Sequence, residues 1–172
     1  IKMIDGWMAQ GFDVIAVAPN DPDAISRTLR SAKESGALVL TWDTDANPEL
    51  SQRSVFVNQA PNSAIGYTLV DLMAKGIRTQ GASLTGDYLI VSGTPTASNQ
   101  NAWMNFMRER IREKYSEMRL LQHLTPGEDQ QKSQEQTAEA LSAYPNLKGI
   151  WGITAVSFPA VAKAVRDANK VG

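Results

Sequence analysis

Two acids stand two residues apart at the end of an apolar run: in VLTWDTDANPE, residues 39–49, Asp43 and Asp45 follow Trp42. Paired carboxylates can do acid–base work or hold a metal, and a carboxylate beside an indole can also hold a ligand rich in hydroxyls. As metal ligands these two lack obvious partners. His123 is the single histidine and there is no cysteine, which excludes disulfides, thiolate nucleophiles and Cys-based zinc sites. No GxGxxG, GxxxxGK[ST] or GxSxG pattern occurs, so neither a phosphate cradle nor a nucleophile elbow is supported. Ser92 and Ser157 have only that one distant histidine as a base. The chain is therefore expected not to be an enzyme and to need no cofactor and no metal.

What remains is polar and aromatic groups just beyond apolar runs: Trp42 and Asp43, then Asn99 and Gln100 after the run 88–93, then Thr154 after GIWGI. A carboxylate accepts two hydroxyls, a carboxamide both donates and accepts, and an indole face covers C–H surface, which together suit a neutral polyhydroxylated ligand. A loop-opening Asx cap is the plain alternative for Asp43, and core packing is the alternative for Trp42 and Trp103. Their shared location at strand ends favours the ligand.

The elements that must position these groups alternate. VIAVAP (14–19) reads as a strand, and NDPDAISRTLRSAKESG as a helix capped by Asp21, started by Pro22, lined by Ile25, Leu29 and Ala32 and ended by Gly36 in the left-handed conformation. ALVLTW and SVFVN (54–58) are strands, and Ala37 to Leu40 reads as buried. Pro61 and Asn62 then open a helix with an apolar stripe of Ile65, Leu69, Leu72 and Met73, ending at Gly76. IRTQGASLTGD (77–87) reads as the most flexible connection. YLIVSG (88–93) is a strand, SNQNAWMNFMRERIREKYS a helix with Met104, Met107, Ile111 and Tyr115 inward, and RLLQHL a strand ending near His123. A helix, the strand LKGIWGI and a last helix follow, with a further strand expected from Val171 and Gly172. The first residues, IKMIDGWMAQG, look like the back half of a helix.

Such alternation predicts an α/β, three-layer architecture with parallel sheets. Three strands precede residue 60 and three follow it, so two lobes and a single six-stranded doubly wound domain both satisfy the periodicity. Seventeen basic against eighteen acidic side chains leave no global field to draw nucleic acid or an anionic membrane. RERIREK (108–114) alternates sign at helical spacing and reads as a solvated helix face. No apolar stretch reaches the length of a membrane span, and no secretory signal is visible.

AVAPNDPDAI, TWDTDA, VFVNQAPNSAIGYTLVDLMAKG, SNQNAWM and EDQQKSQEQTAEALSAYPNLKGIWGI together resemble the type I periplasmic sugar-binding proteins of ABC importers. The resemblance covers the chain and is nearest to the rhamnose-binding branch and its autoinducer-2-binding relatives. It implies the periplasmic-binding-protein-like I fold, two Rossmann-like lobes with parallel sheets and flanking helices, here incomplete at both ends. Residues 1–59 are then a partial amino-terminal lobe, 60–172 a carboxyl-terminal lobe lacking its last strands, and Asn58, Gln59 and Ala60 the first hinge crossing. It further implies a sugar in an inter-lobe cleft, a membrane permease as partner, no nucleic acid, and a periplasmic or extracytoplasmic location.

Carried over by position, Asp43 matches the aspartate that holds ligand hydroxyls, and Gln100 a glutamine that contacts autoinducer-2. Asn99 stands where that subgroup has an aspartate, while Ile153 and Ala155 stand where it has a proline and an alanine. Ala155 fits, whereas Asn99 and Ile153 depart. The missing carboxylate points away from autoinducer-2 and toward a deoxyhexose such as rhamnose. An incomplete amino-terminal lobe is expected to expose a sheet edge that invites self-association. A sugar-sensing repressor with the same two lobes is the alternative, and it would carry a helix-turn-helix upstream of residue 1.

Overall fold

The computed structural model describes residues 1–171. The first sheet forms because short apolar runs are separated by well-capped helices. Helix α1 (Lys2–Ala9) leads into strand β1 (Val14–Val17), helix α2 (Pro22–Glu34), strand β2 (Leu38–Trp42), the short helix α3 (Pro48–Ser51) and strand β3 (Val55–Val57). The Asp21 carboxylate accepts the backbone N–H groups of Asp23 and Ala24, and Pro22 occupies the first turn, where its missing N–H costs nothing. Gly36, at φ +100°, makes the reversal after α2 that a Cβ would strain. The strands are parallel in the order β1-β2-β3, with Val14 opposite Leu38 and Thr41 opposite Phe56. One face of this sheet carries Ile15 and Val39 against Ile4, Leu29 and Ala32 of α1 and α2. The expected burial of Ala37 to Leu40 holds for alternate residues only: Ala37 and Val39 are buried, while Leu38 is 48% exposed. Val14, Val55 and Val57 are similarly exposed, because no described helix covers the second face.

The second sheet is covered on both faces. Helix α4 (Asn62–Thr79), strand β4 (Gly86–Val91), helix α5 (Ser98–Lys114), strand β5 (Met118–Leu120), helix α6 (Gln130–Ala143), strand β6 (Leu147–Gly152) and helix α7 (Ser157–Asp167) complete the chain. The strand order is β5-β4-β6, all parallel. On central strand β4, Tyr88 and Ile90 pack with Val70, Met104, Met107 and Ile111 of α4 and α5, and Leu89 and Val91 pack with Ala140 and Val161 of α6 and α7. Each such large apolar side chain contributes about 1.5–3 kcal/mol on full burial, and this is why β4 reads as a continuous apolar run.

Several sequence expectations are corrected. On α4 the buried line is Gly66, Val70, Ala74 and Ile77, one residue round from the anticipated stripe; Leu72 is 60% exposed. The close approach of α5 at Gly66 sets that rotation: a Cβ there would lie 2.6 Å from Phe106 Cβ and 2.7 Å from the Trp103 carbonyl. The helix runs three residues past Gly76, to Thr79, and the left-handed glycine that follows is Gly81. The connection 77–87 therefore shrinks to residues 80–85, and Leu84 within it is buried. The strand expected over RLLQHL ends at Leu120, with Leu124 adding only an isolated bridge to Val91. Val171 forms no strand, and Gly172 lies outside the described residues.

The charges of 108–114 are not merely solvated. Arg110 donates to both oxygens of Asp71 at 3.0 and 2.7 Å, Tyr115 donates to Asp71 at 2.8 Å, and Tyr67 donates to Glu109. These contacts tie α5 to α4. Packing divides the chain into one unit of Ile1–Pro61 with Thr96–Asn101, and a second of Asn62–Pro95 with Ala102–Gly172. The first turn of α5 thus belongs with the first unit.

Two stability predictions follow from α4. Gly66→Ala gains about 1 kcal/mol of helix propensity but overpacks a backbone carbonyl that has nowhere to go, at about 1–3 kcal/mol; a net loss is expected in urea unfolding. The hydrogen bond from Arg110 holds the Asp71 carboxyl at about 2, below the ordinary 3.8. A lowered folded-state pKa adds stability that is complete above the unfolded value and is lost as pH falls through the folded one. Asp71→Asn should therefore flatten the loss of stability between about pH 3.8 and about 2, measured by denaturant unfolding across that range.

Candidate ligand site at a strand end

Strand β2 stops at Trp42, and the next residue reverses the chain. Asp43 sits at φ +61°, in the left-handed region. The Thr44 N–H donates to the Trp42 carbonyl at 2.6 Å, closing a three-residue γ-type turn around Asp43. The Asp43 N–H donates to the Val57 carbonyl at 3.1 Å, so the turn is tied to the end of β3. A non-glycine residue here costs on the order of 1 kcal/mol, and such strain persists where surrounding contacts over-determine it.

The half-buried Asp43 carboxylate is held by neutral donors. Gln59 Nε2 donates to Oδ1 at 2.7 Å, while Asn99 Nδ2 and Thr44 Oγ1 each lie 3.4 Å from Oδ2. Among the described residues no Lys or Arg pairs with it. Asp45 is the opposite case. Arg53 grips it with two hydrogen bonds at 2.7 and 2.5 Å, and Thr41 Oγ1 donates to it at 2.5 Å. Burial pushes its carboxyl pKa up, but the Arg53 and Thr41 donors outweigh that and hold it below the ordinary value. The two acids therefore do not form a paired acid–base device: Asp45 stitches β2 to the segment before β3, and Asp43 is held by neutral donors alone among the described residues.

Trp42, the last residue of β2, is 53% exposed and follows the alternation that leaves Leu38 and its own cross-strand partner Val57 on the uncovered face of the first sheet. The other three tryptophans are packed: Trp7 against the core under the first sheet, Trp151 within the core of the second, and Trp103 beside that core with its Nε1 on Asn62 at 3.0 Å. Asn99 reaches Asp43 from the first turn of α5, and its Oδ1 accepts the Gln100 N–H at 2.7 Å. Gln100 itself is buried, at 8% exposure. Asp43, Gln59 and Asn99 thus meet in the first unit. Gln59, read from sequence only as part of the crossing, is a direct partner of Asp43; nothing in the local pattern marks a contact across 16 residues.

The other sequence candidates lie at the end of β6. The Ile153 N–H continues the ladder to Val91 at 3.0 Å, and its side chain is in the apolar core. The Thr154 hydroxyl accepts the N–H groups of Val156 and Ser157 at 3.2 and 2.8 Å, so it is committed to starting α7. Ala155 is exposed. Ser157, far from acting as a nucleophile, is buried and donates to the Val91 carbonyl at 3.0 Å.

Parallel strands with polar and aromatic groups at their carboxyl ends, flanked by helices, define a ligand-binding α/β protein. The chain belongs to the periplasmic binding protein domain family, to which residues 1–172 match. It is similar to an ABC transporter solute-binding protein from Clostridium phytofermentas solved with bound L-rhamnose, at 36% identity over 98% of this chain and 51% of that one, TM-score 0.88. It is also similar to an ABC transporter solute-binding protein from Burkholderia graminis in complex with D-arabinose, at 27% identity over 98% of this chain and 55% of that one, TM-score 0.85. LsrB from Clostridium saccharobutylicum, in complex with AI-2, shares the fold at 22% identity over 98% of this chain and 52% of that one, TM-score 0.92. The chain spans about half the length of these solved relatives. The family consists of non-enzymatic solute-binding proteins, and these relatives include sugar binders of ABC transporters.

The contrast between the two acids gives a direct check. Asp45→Ala should lower stability by about 1–3 kcal/mol, because it strips Arg53 of a charged hydrogen-bond partner, whereas Asp43→Asn, which keeps a residue tolerant of the left-handed conformation, should leave the urea midpoint nearly unchanged.

Proposed function

We propose that this chain is part of the solute-binding component of an ABC importer that captures a neutral monosaccharide of the rhamnose class and delivers it to a membrane permease outside the cytoplasm. The observation that carries the reading is the Asp43 carboxylate at the carboxyl end of β2, held by the Gln59 and Asn99 carboxamides and, among the described residues, paired with no Lys or Arg. A carboxylate held only by neutral donors stays a strong acceptor for hydroxyls, and the Trp42 indole, adjacent in sequence, is a further proposed contact for the C–H side of a sugar ring. Hydrogen bonds to a charged group contribute about 1.5–3 kcal/mol each, so a few of them with ring stacking suffice for micromolar affinity. The near-neutral charge of the chain suits an uncharged solute.

The choice of a deoxyhexose draws on the 36%-identical relative with bound L-rhamnose and on the carboxamide at Asn99, a weaker acceptor than a second carboxylate. Gln100 and Ala155 are further proposed contacts, Ile153 a packing residue behind them, and Asn58, Gln59 and Ala60 the segment that flexes when ligand binds. Thr154 contributes through the helix start it caps.

Calorimetric titration of the intact protein with L-rhamnose, D-arabinose, D-fucose and autoinducer-2 tests the reading. L-Rhamnose is expected to bind most tightly, and Asp43→Asn to weaken it by at least about tenfold, or about 1.4 kcal/mol, with little change in melting temperature. Undiminished binding by Asp43→Asn would remove the chemical basis of the assignment.

A further inference from the structure

Asp43 carries its charge on a side chain whose terminal torsion is broad, so whatever sets the carboxylate's direction decides which hydroxyl geometry it accepts. Its neighbours do not hold it equally. The bond from Gln59 to Oδ1 is 2.7 Å, in the range of strong charge-assisted hydrogen bonds, whereas both contacts to Oδ2 are 3.4 Å and weak. One oxygen is fixed and the other is only loosely engaged.

We propose that Gln59 is the positioning residue of this site, its carboxamide N–H holding Oδ1 so that Oδ2 faces the incoming sugar hydroxyl. The proposal rests on the reading that Asp43 grips the sugar. Three features support it. First, Val57, two residues before Gln59, accepts the Asp43 N–H at 3.1 Å, so one short segment holds both the backbone and the side chain of Asp43. Second, a neutral donor orients a carboxylate without neutralising it, whereas Arg53 shows on Asp45 what a cation does: both oxygens are taken. Third, Gln59 is exposed, so its contact with Asp43 is not a by-product of core packing, and its removal leaves no cavity.

The test compares wild type, Gln59→Met, Gln59→Glu, Asp43→Asn and the Asp43→Asn/Gln59→Met double variant, in the intact protein. Methionine keeps the length and removes the donor; glutamate keeps the shape and places a like charge on Asp43. Titration with L-rhamnose should show about a tenfold loss for Gln59→Met and a larger one for Gln59→Glu, with melting temperatures within about 1 °C of wild type for Gln59→Met. On the Asp43→Asn background, Gln59→Met should add no further loss, because the oriented group is gone. Tighter binding by Gln59→Met would make Gln59 a competitor of the sugar, and additive losses would make its effect independent of Asp43; either overturns the proposal. A second readout needs no sugar: the Gln59 side-chain amide resonance of the ligand-free protein should shift on Asp43→Asn, and an unmoved resonance overturns the proposal by itself. A coupled resonance in a wild type that binds none of the sugars would instead sink the sugar reading, and the proposal with it.

Discussion

A carboxylate placed where a parallel strand ends, with neutral donors and no Lys or Arg partner among the described residues, is the arrangement on which the candidate site turns. A charge beside apolar surface is normally neutralised or paired. Asp43 is only half-buried and meets three neutral donors, from Gln59, Asn99 and Thr44, with no Lys or Arg partner among the described residues. Asp45, two residues on, shows the alternative outcome, with Arg53 clamped across both its oxygens. Two side chains of the same type within one turn thus have different surroundings, one clamped by a cation and the other held by neutral donors.

The turn makes that division possible. On a continuous strand, Asp43 and Asp45 would share a face. The γ-type turn at Asp43 and its tie to Val57 rotate the chain, so that one acid meets Arg53 and the other meets Gln59 and the first turn of α5. The backbone strain this requires is small beside the burial of Ile15, Leu29 and Val39 beneath the same sheet. In parallel sheets the loops at the carboxyl ends are free of ladder constraints while the strands that carry them are rigid, which is why ligand contacts collect there.

Charge elsewhere serves packing. The pairs Arg110–Asp71 and Arg119–Asp87, and the hydrogen bond of Tyr67 to Glu109, join elements within the second unit. Arg110 also lies over the Tyr67 ring and Arg78 over the Tyr115 ring, combining ionic and aromatic contact on the α4–α5 surface. With the basic side chains of that face so engaged, its alternating charges act as fastening between helices.

Local signals carried much of the architecture. Asp21 with Pro22 marks a helix start, Gly36 its reversal, and the apolar runs of β2 and β4 mark strands, because caps and periodicity depend on neighbours a few residues away. Asp43 was visible as an acid at a strand end for the same reason. Other features depend on contacts between distant residues. The division into two three-stranded sheets, the one-residue rotation of α4 set by Gly66 against α5, and the exposure of one face of the first sheet lie beyond any local pattern. So do the partners of the two acids: Gln59 is 16 positions from Asp43 and Asn99 is 56, and Arg53 could have paired with either carboxylate. Local propensity writes the elements, but which polar groups meet at their ends depends on the pairing of β2 with β3 and on the approach of Asn99 in α5's first turn to Asp43, and that is decided only when the chain folds.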